Sequence, residues 1–256
     1  MRRSRFPLLV TVAVIVFFYL PILVLVVNSF NASRFGSSWQ GFSLRWYAGL
    51  VTEREIWAAL RVTLIVAVSA TAVSAVLGTT AALAMHRHRT RLQRFHSLLI
   101  AVPLVMPEIL IGISLLLLFA IIGLGLGIFS IFLAHVTFCL SFVAIVVLGR
   151  LEGFDESLLE AARDLGATWW TATWRVLLPL LAPGIAAGAL LAFTLSIDDF
   201  VITFFVAGPG ATTLPIRIYS MIKHGSPPLI SALSTLLLVV TLVAVWLSQR
   251  LIERRA

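Results

Sequence analysis

Residues 160–179 read EAARDLGATWWTATWRVLLP and form a polar segment between two long apolar runs of the chain. Leu158, Ala162 and Leu165 recur at helical spacing and give one apolar stripe. Gly166 suits a helix C-terminus, where a positive φ angle is often required. A structured element outside the apolar runs has little use unless a soluble partner contacts it. The segment therefore predicts a docking element.

Both ends of this element carry further local signals. Ser157 and Glu160 have the spacing of a capping box, and Asp155 is an alternative N-cap. A second short helix is expected after the first, and Pro179 and Pro183 are expected to end it before the next apolar run. The sequence thus predicts two short helices separated by a glycine.

The rest of the chain is strongly apolar. Of its 256 residues, 60% are hydrophobic and 12% are charged. The apolar runs are about 20 residues long, as a membrane-spanning helix requires, and they lack the alternation of a β-strand. The sequence predicts an all-α membrane protein with six transmembrane helices. They are expected at about Pro7–Val27, Trp57–Met85, Ser97–Ile122, Gly127–Leu148, Gly184–Val206 and Pro228–Leu247.

Basic residues are distributed unevenly between the two sides of these helices. Thirteen of the nineteen Lys and Arg residues lie at the two termini, in the 86–96 loop and around the Glu160 segment, and the other six lie on the opposite side, with Arg61 near the outer end of the second span. Cytoplasmic loops carry the excess of Lys and Arg. We therefore expect both termini and the Glu160 segment in the cytoplasm. Orientation also explains the net charge of +8, and we expect no nucleic-acid partner.

The Glu160 segment resembles the EAA loop of ABC-importer permeases. That motif has Glu-Ala-Ala, a Gly four residues after the second Ala, and an aliphatic-x-Leu-Pro ending. The matching residues are Glu160, Ala161, Ala162, Gly166, Val176, Leu178 and Pro179. The resemblance implies the ABC importer type I permease fold, with residues 155–179, here called the knob, docked on an ATPase. All of the matching residues except Val176 are taken as ATPase-coupling residues.

No G-x-x-x-x-G-K-[ST] phosphate-binding motif occurs in the sequence. The nearest glycine cluster, Gly208-Pro209-Gly210, has no Lys behind it. We expect a transport subunit that is not an enzyme, has no cofactor and depends on ATP used by partner subunits. The resemblance implies two ABC ATPase subunits, a second homologous permease subunit and a periplasmic or extracellular substrate-binding protein.

Three carboxylates fall inside predicted membrane helices: Glu108, Asp198 and Asp199. A charged acid at a helix centre costs about 3 kcal/mol on insertion scales, so such residues are seldom without a function. No Lys or Arg lies well inside a predicted span, and the local field therefore suits a cation. Together with aromatic side chains such as Phe205, the acids favour an amine cation. The alternative is that protonated carboxyls form hydrogen bonds between helices.

Two further features concern these helices. Pro103 and Pro107 predict a kink in the third span just before Glu108. On a straight helix, Glu108 would lie about 16 Å in from Ser97. His135 stands alone in the fourth span, and we interpret it as a satisfied hydrogen-bonding group between helices rather than a metal ligand.

Residues 196–200 read SIDDF and are followed by Phe205, GPG at 208–210 and TLP at 213–215. These stretches closely resemble the spermidine/putrescine permease branch of the family, and the likeness covers nearly the whole chain. It implies a polyamine substrate. The residues expected along the substrate path are Glu108, Asp198, Asp199 and Phe205. The alternative is an ABC permease for iron, thiamine or an anion such as sulfate, and an anion path should show buried Arg, Lys or helix N-termini.

Other classes of protein fit less well. An intramembrane hydrolase would need a nucleophile and base or a facing pair of Asp, but no G-x-S-x-G is present. Asp198 and Asp199 are adjacent on one predicted helix and would point about 100° apart. A passive channel would conduct without an ATPase. The knob alone could also be an amphipathic hairpin on lipid headgroups.

We expect three regions: an N-terminal transmembrane anchor and periplasmic loop (1–56), an ABC transmembrane type-1 permease core (57–248) and a cytoplasmic tail (249–256). The expected location is the bacterial cell inner membrane, which the chain crosses several times in contact with membrane lipid.

Overall fold

A computed structural model describes residues 6–34, 38–87, 92–223, 225 and 227–253, which are almost entirely helical. Residues 88–91 of the basic loop and residues 254–256 of the expected tail lie outside the described residues. The helices are α1 (Phe6–Ser29), α2 (Arg45–Thr52), α3 (Arg54–Arg87), α4 (Gln93–Val105), α5 (Glu108–Ile121), α6 (Ile128–Glu152), α7 (Ser157–Asp164), α8 (Trp169–Ala172), a π-helix (Thr173–Leu177), α9 (Leu178–Asp198), α10 (Val201–Val206), α11 (Leu214–Lys223) and α12 (Pro227–Glu253).

Four described helical stretches are long and apolar enough to cross a membrane: α1, α3, α6 and the continuous stretch Trp169–Asp198. The pair α4 and α5 is a fifth candidate, as one span bent by 113°. In α12 the described apolar stretch is shorter and covers Pro228–Val243. The structure confirms a helical membrane protein with four to five spans, and the count of six remains a prediction.

The third predicted span is broken near its middle. α4 ends at Val105, and α5 begins at Glu108. Pro107 lacks a backbone N–H and disfavours helical geometry in the residue before it; Met106 is accordingly extended, with a ψ angle of 133°. The predicted kink is confirmed at Pro107, whereas Pro103 lies within α4. The depth estimated for Glu108 assumed a straight helix and is therefore wrong.

The knob continues into the fifth span without a stop. α8, the π-helix and α9 follow one another directly, so the prediction that Pro179 and Pro183 end a short helix is wrong. The Leu178 N–H donates to the carbonyl of Thr173, five residues earlier. This wide turn leaves Pro179 in the first turn of α9, where a missing N–H is tolerated. The fifth span therefore begins before Gly184.

The fifth span is also broken near its other end. α9 ends at Asp198, Asp199 is extended with a ψ angle of 122°, and α10 begins at Val201. The prediction that Asp198 and Asp199 share one continuous helix is wrong for this reason. The two carboxylates leave the backbone on either side of a helix terminus and have different surroundings.

The chain forms two compact units. One contains α1, α2 and α12, with α12 packed against the other two helices, and most of α1 is exposed. The second comprises residues 58–216, in which α6 packs along α9 and α10 packs against α5 and α6. Its buried core includes Ile131, Val143, Val147, Leu181 and Ile202.

Glycines allow close helix packing in the second unit. A Cβ atom added at Gly78 of α3 would lie 2.8 Å from Val143 Cβ and 2.9 Å from the Leu140 carbonyl oxygen. A Cβ atom added at Gly188 of α9 would lie 3.3 Å from Val143 Cα. Small residues permit such approaches in membrane helices. Val143 of α6 is thus a packing point for both α3 and α9.

We predict that Gly78→Ala destabilises the protein, because the new methyl group overlaps backbone as well as side-chain atoms of α6. Overpacking of this kind costs about 1–3 kcal/mol. Gly149→Ala is the matched control, since Gly149 also lies within a helix but has open space around it. Thermal unfolding in detergent should show a lower Tm for Gly78→Ala alone. An unchanged Tm would contradict the packing described here.

Candidate functional site

The knob begins with a cap on α7. The Asp155 carboxylate accepts a hydrogen bond from the Ser157 backbone N–H, with an oxygen–nitrogen distance of 3.0 Å. Hydrogen bonds from Ser157 hold the pKa of Asp155 below its ordinary value. Ser157 is the first helical residue, and α7 shows no side-chain bond of the capping-box type. The predicted Ser157–Glu160 box is wrong, and the N-cap position is Glu156; the predicted alternative, Asp155, lies one residue earlier and accepts the Ser157 N–H.

Gly166 ends α7 in the predicted manner. Its φ angle is +87°, which a residue with a side chain rarely adopts. The Gly166 N–H donates to the carbonyl of Arg163 at 2.8 Å, and the Ala167 N–H donates to the carbonyl of Ala162 at 3.0 Å. These two bonds form a Schellman motif, which satisfies carbonyl groups at the helix end. The helix break predicted at Gly166 is confirmed.

The surface of α7 is open in this chain, and none of its residues is buried. Leu158 is 45% exposed, and Leu165 just after the helix is 90% exposed. An apolar stripe left uncovered in this way is available to a partner. None of the predicted coupling residues is buried. Four are exposed (Glu160, Ala161, Gly166 and Pro179), and two are half-buried (Ala162 and Leu178).

Two contacts attach the knob to the end of α3. His86 Nε2 lies 3.3 Å from Glu156 Oε1, and the Arg87 guanidinium carbon lies 4.5 Å from the centre of the Trp169 ring. A cavity of about 780 Å³ opens beside these contacts, and Glu160 is among its lining residues. Because the knob is also continuous with α9, a displacement of the knob would act on two membrane helices.

The predicted substrate-path acids come together at the two helix breaks. Glu108 is the first residue of α5, Asp198 is the last residue of α9, and both are exposed. The Glu108 carboxylate interacts electrostatically with both Asp198 and Asp199. Within the described part of the chain, neither Glu108 nor Asp198 forms an ion pair. The structure thus juxtaposes negative charges that have no cation of their own.

Phe205 connects the elements that carry these acids. A Cβ atom added at Gly112 of α5 would lie 2.7 Å from Phe205 Cδ2, so the ring packs directly on the α5 backbone. The Phe204 ring touches Phe205, with centres 5.7 Å apart, and also Phe200, with centres 5.5 Å apart. A row of aromatic rings therefore follows the break between α9 and α10.

Asp199 differs from the other two acids in its surroundings, because its side chain is only 4% exposed. Its carboxylate accepts hydrogen bonds from the backbone N–H groups of Ile202 at 3.2 Å and Thr203 at 2.8 Å. The Thr203 hydroxyl donates a third bond at 2.6 Å. Asp199 therefore caps the N-terminal end of α10.

His135 of α6 completes this arrangement. Its Nε2 atom lies 2.9 Å from Thr203 Oγ1 and 3.3 Å from Asp199 Oδ2, and its Nδ1 atom lies 2.7 Å from Ser196 Oγ. The prediction of a satisfied hydrogen-bonding group between helices is confirmed. The sequence did not predict its partners, Ser196 and Thr203, because Ser and Thr residues are common in apolar helices and their positions do not indicate which side chain they contact. No group of three or more potential metal ligands occurs in the described ranges.

Comparison with known proteins identifies the family. Residues 74–256 match the model described as binding-protein-dependent transport system inner membrane component. The chain is 45% identical to the spermidine/putrescine transport system permease protein PotC of Escherichia coli K12 over an alignment of 237 residues. This alignment covers 93% of this chain and 90% of that protein. It is 43% identical over 243 residues to the putrescine transport system permease protein PotI of the same strain, with coverage of 92% and 86%.

A crystal structure of a bacterial ABC transporter involved in the import of the acidic polysaccharide alginate has the same fold. Its TM-score is 0.75 over 98% of this chain and 99% of that chain, at 17% sequence identity. The family predicted from the knob motif and the resemblance to its polyamine branch are both confirmed. With its helical fold and these relatives, the chain belongs to the binding-protein-dependent inner membrane components, the permeases of ABC importers.

Proposed function

We propose that this chain is a permease subunit of an ATP-driven importer that moves a polyamine, such as spermidine or putrescine, into the cytoplasm. The observation that carries the proposal is the pair of exposed acids, Glu108 and Asp198, at adjoining helix breaks without a cation of their own. The names of relatives at 45% and 43% identity support the same substrate class.

The chemistry of a polyamine matches this arrangement. Each ammonium group that leaves water needs acceptors, and carboxylates supply charge-assisted hydrogen bonds to it. The adjacent aromatic rings, among them Phe205, offer cation–π attraction and apolar contact for the methylene segments. Asp199, the buried neighbour of Asp198, is assigned to the same substrate path. A path built in this way favours extended cations over anions.

The alternative substrates differ in the charge that they require. An oxyanion such as sulfate calls for buried Arg, Lys or helix N-termini. None of the described Lys or Arg side chains is buried, and N–H groups at the start of α10 are bound to the Asp199 carboxylate. A path lined by carboxylates is also compatible with iron or thiamine as the substrate. Uptake measured with a panel of spermidine, putrescine, thiamine, iron and sulfate separates these classes, and preferential uptake of any of the last three would contradict the polyamine assignment.

Coupling to ATP is assigned to the knob. We infer that α7 inserts into an ATPase subunit through Glu160, Ala161 and the stripe of Leu158, Ala162 and Leu165. In the complete transporter, two ATPase subunits would contact this chain and a second homologous permease. A periplasmic or extracellular binding protein would deliver the substrate. Closure of the ATPases would displace the knob and, through α9 and α3, alter access to the acids.

The proposed topology has six spans in the bacterial inner membrane, with α12 as the sixth and both termini in the cytoplasm. The excess of Lys and Arg at the termini, in the 86–96 loop and around the knob supports this orientation. Within it, residues 57–248 form the permease core. The knob then faces the compartment that contains ATP.

We predict that Gly166→Asp uncouples transport from ATP hydrolysis, because a side chain strains the backbone at a φ of +87° and displaces the end of α7. Gly153→Asp is the matched control: Gly153 precedes the knob, has a negative φ and has open space around it. In vesicles containing the assembled transporter, uptake per ATP hydrolysed should fall at least about tenfold for Gly166→Asp only. Equal ratios in the two variants would argue against a coupling role.

We predict that Glu108→Gln and Asp198→Asn each reduce polyamine uptake by about tenfold, since each removes a negative charge from the cation path. Glu152→Gln is the control, because Glu152 is an exposed acid at the far end of α6. Uptake of labelled spermidine should be compared at equal amounts of assembled transporter. Wild-type uptake by both path variants would remove these acids from the route.

We predict opposite labelling of two cysteines introduced into a Cys139→Ser background, which removes the native thiol. Ser38→Cys, in an exposed part of the first loop, should react with a membrane-impermeant maleimide applied to spheroplasts. Leu165→Cys should react only after permeabilisation, although Leu165 is 90% exposed. Expression without the ATPases keeps the knob uncovered. Labelling of Leu165→Cys in intact spheroplasts would reverse the proposed orientation.

A further inference from the structure

We propose that His135, Ser196, Asp199 and Thr203 form a latch that holds the break between α9 and α10 and thereby positions Asp198 for the substrate. In this account Asp199 is a positioning residue that does not touch the cation. The part of the inference that concerns substrate rests on the proposed function, whereas the latch itself stands on geometry alone.

Most of the acceptor capacity of the Asp199 carboxylate is taken by groups of the protein itself. Ionised carboxylate oxygens offer about four lone-pair sites. Two are taken by the backbone N–H groups of Ile202 and Thr203, and a third by the Thr203 hydroxyl. His135 Nε2, at 3.3 Å, faces the same oxygen as Thr203. With a side chain only 4% exposed, Asp199 is closed to a diffusing cation.

The hydrogen-bond directions fix how His135 takes part. The Thr203 hydroxyl donates its proton to Asp199 Oδ2, so the Thr203 oxygen accepts from His135 Nε2 at 2.9 Å. In the neutral imidazole, Nδ1 then carries a lone pair and accepts the Ser196 hydroxyl proton at 2.7 Å. This tautomer is inferred from the network. One ring thus joins the last turns of α9 to the first turn of α10.

Two further bonds from α6 lie on either side of the latch. Ser130 Oγ shares its proton between the Val206 carbonyl at the end of α10, at 2.7 Å, and the Gly127 carbonyl, at 2.8 Å. Cys139 Sγ donates to the Ala192 carbonyl of α9 at 3.4 Å. α6 therefore holds both helices that flank the break, and His135 lies at the break itself. Because α10 has only six residues, its position depends on these external bonds.

The latch separates the roles of two neighbouring acids. Asp198 is the last residue before the break, is exposed and lies within electrostatic range of Glu108. Asp199 follows it, points into the protein and has its partners supplied. Loss of the latch would release the N-terminal end of α10 and displace Asp198, so uptake would fall without the removal of any substrate contact.

Hydrogen–deuterium exchange of the assembled transporter tests the latch directly. His135→Ala and Asp199→Ala should each raise exchange at residues 201–206 by about tenfold, and the double variant should add little, because both single changes break one network. Asp198→Ala should leave this segment unchanged. Exchange at 157–164 reports whether the rest of the chain remains folded. Wild-type exchange at 201–206 in His135→Ala would overturn the latch.

Uptake of labelled spermidine tests the positioning role with a milder pair of variants. Thr203→Val removes the hydroxyl that links His135 to Asp199, whereas Thr203→Ser keeps it. We expect uptake to fall about tenfold in the first variant and to remain within about twofold of wild type in the second. Equal uptake in the two variants would refute the positioning role, and that comparison remains informative even if the alanine variants fail to assemble.

The exchange and uptake measurements distinguish an error in the proposed substrate from an error in the proposed latch. If the wild-type transporter carries no polyamine, the proposed substrate is wrong, but exchange at residues 201–206 still reports on the latch. If the fold reductions in uptake caused by His135→Ala and by Asp199→Ala multiply in the double variant, the two residues act independently. That outcome would assign Asp199 to direct contact with the cation and overturn the proposal.

Discussion

In the core of a bilayer, an unpaired backbone N–H or carbonyl finds no water, and each such group costs several kcal/mol. A membrane helix can therefore break only where the protein or a water-filled cavity supplies partners. At the break after Asp198, the Asp199 carboxylate binds two N–H groups of α10, and Ser130 binds a carbonyl at its end. These bonds permit an irregular backbone at the place where acids accumulate.

A continuous helical stretch joins the knob to the break at Asp198. α9 runs from the π-helix at the knob to the break at Asp198, and Trp169–Asp198 is one continuous helical stretch. α6 packs along α9 and carries His135. We propose that a displacement of the knob reaches Asp198 along this stretch.

Local signals in the sequence predicted local features well. Gly166 predicted a helix end because few other residues adopt its φ angle, and Pro107 predicted a break because it lacks an N–H. The continuity of the knob with α9 was missed, since a π turn that accommodates Pro179 leaves no sequence mark. The latch was missed for another reason: His135 finds its partners 61 and 68 residues away, and only the packing of α6 on α9 brings them together.

The central claim is that the chain forms part of an ATP-driven path for an organic polycation. It is tested most directly by reconstituting the permease with its ATPases, its partner permease and its binding protein in sealed vesicles, and by following labelled spermidine. The account predicts accumulation against a gradient only when ATP is present on the side of the knob. Equilibration of spermidine without ATP, or no uptake with ATP and all partners present, would contradict it.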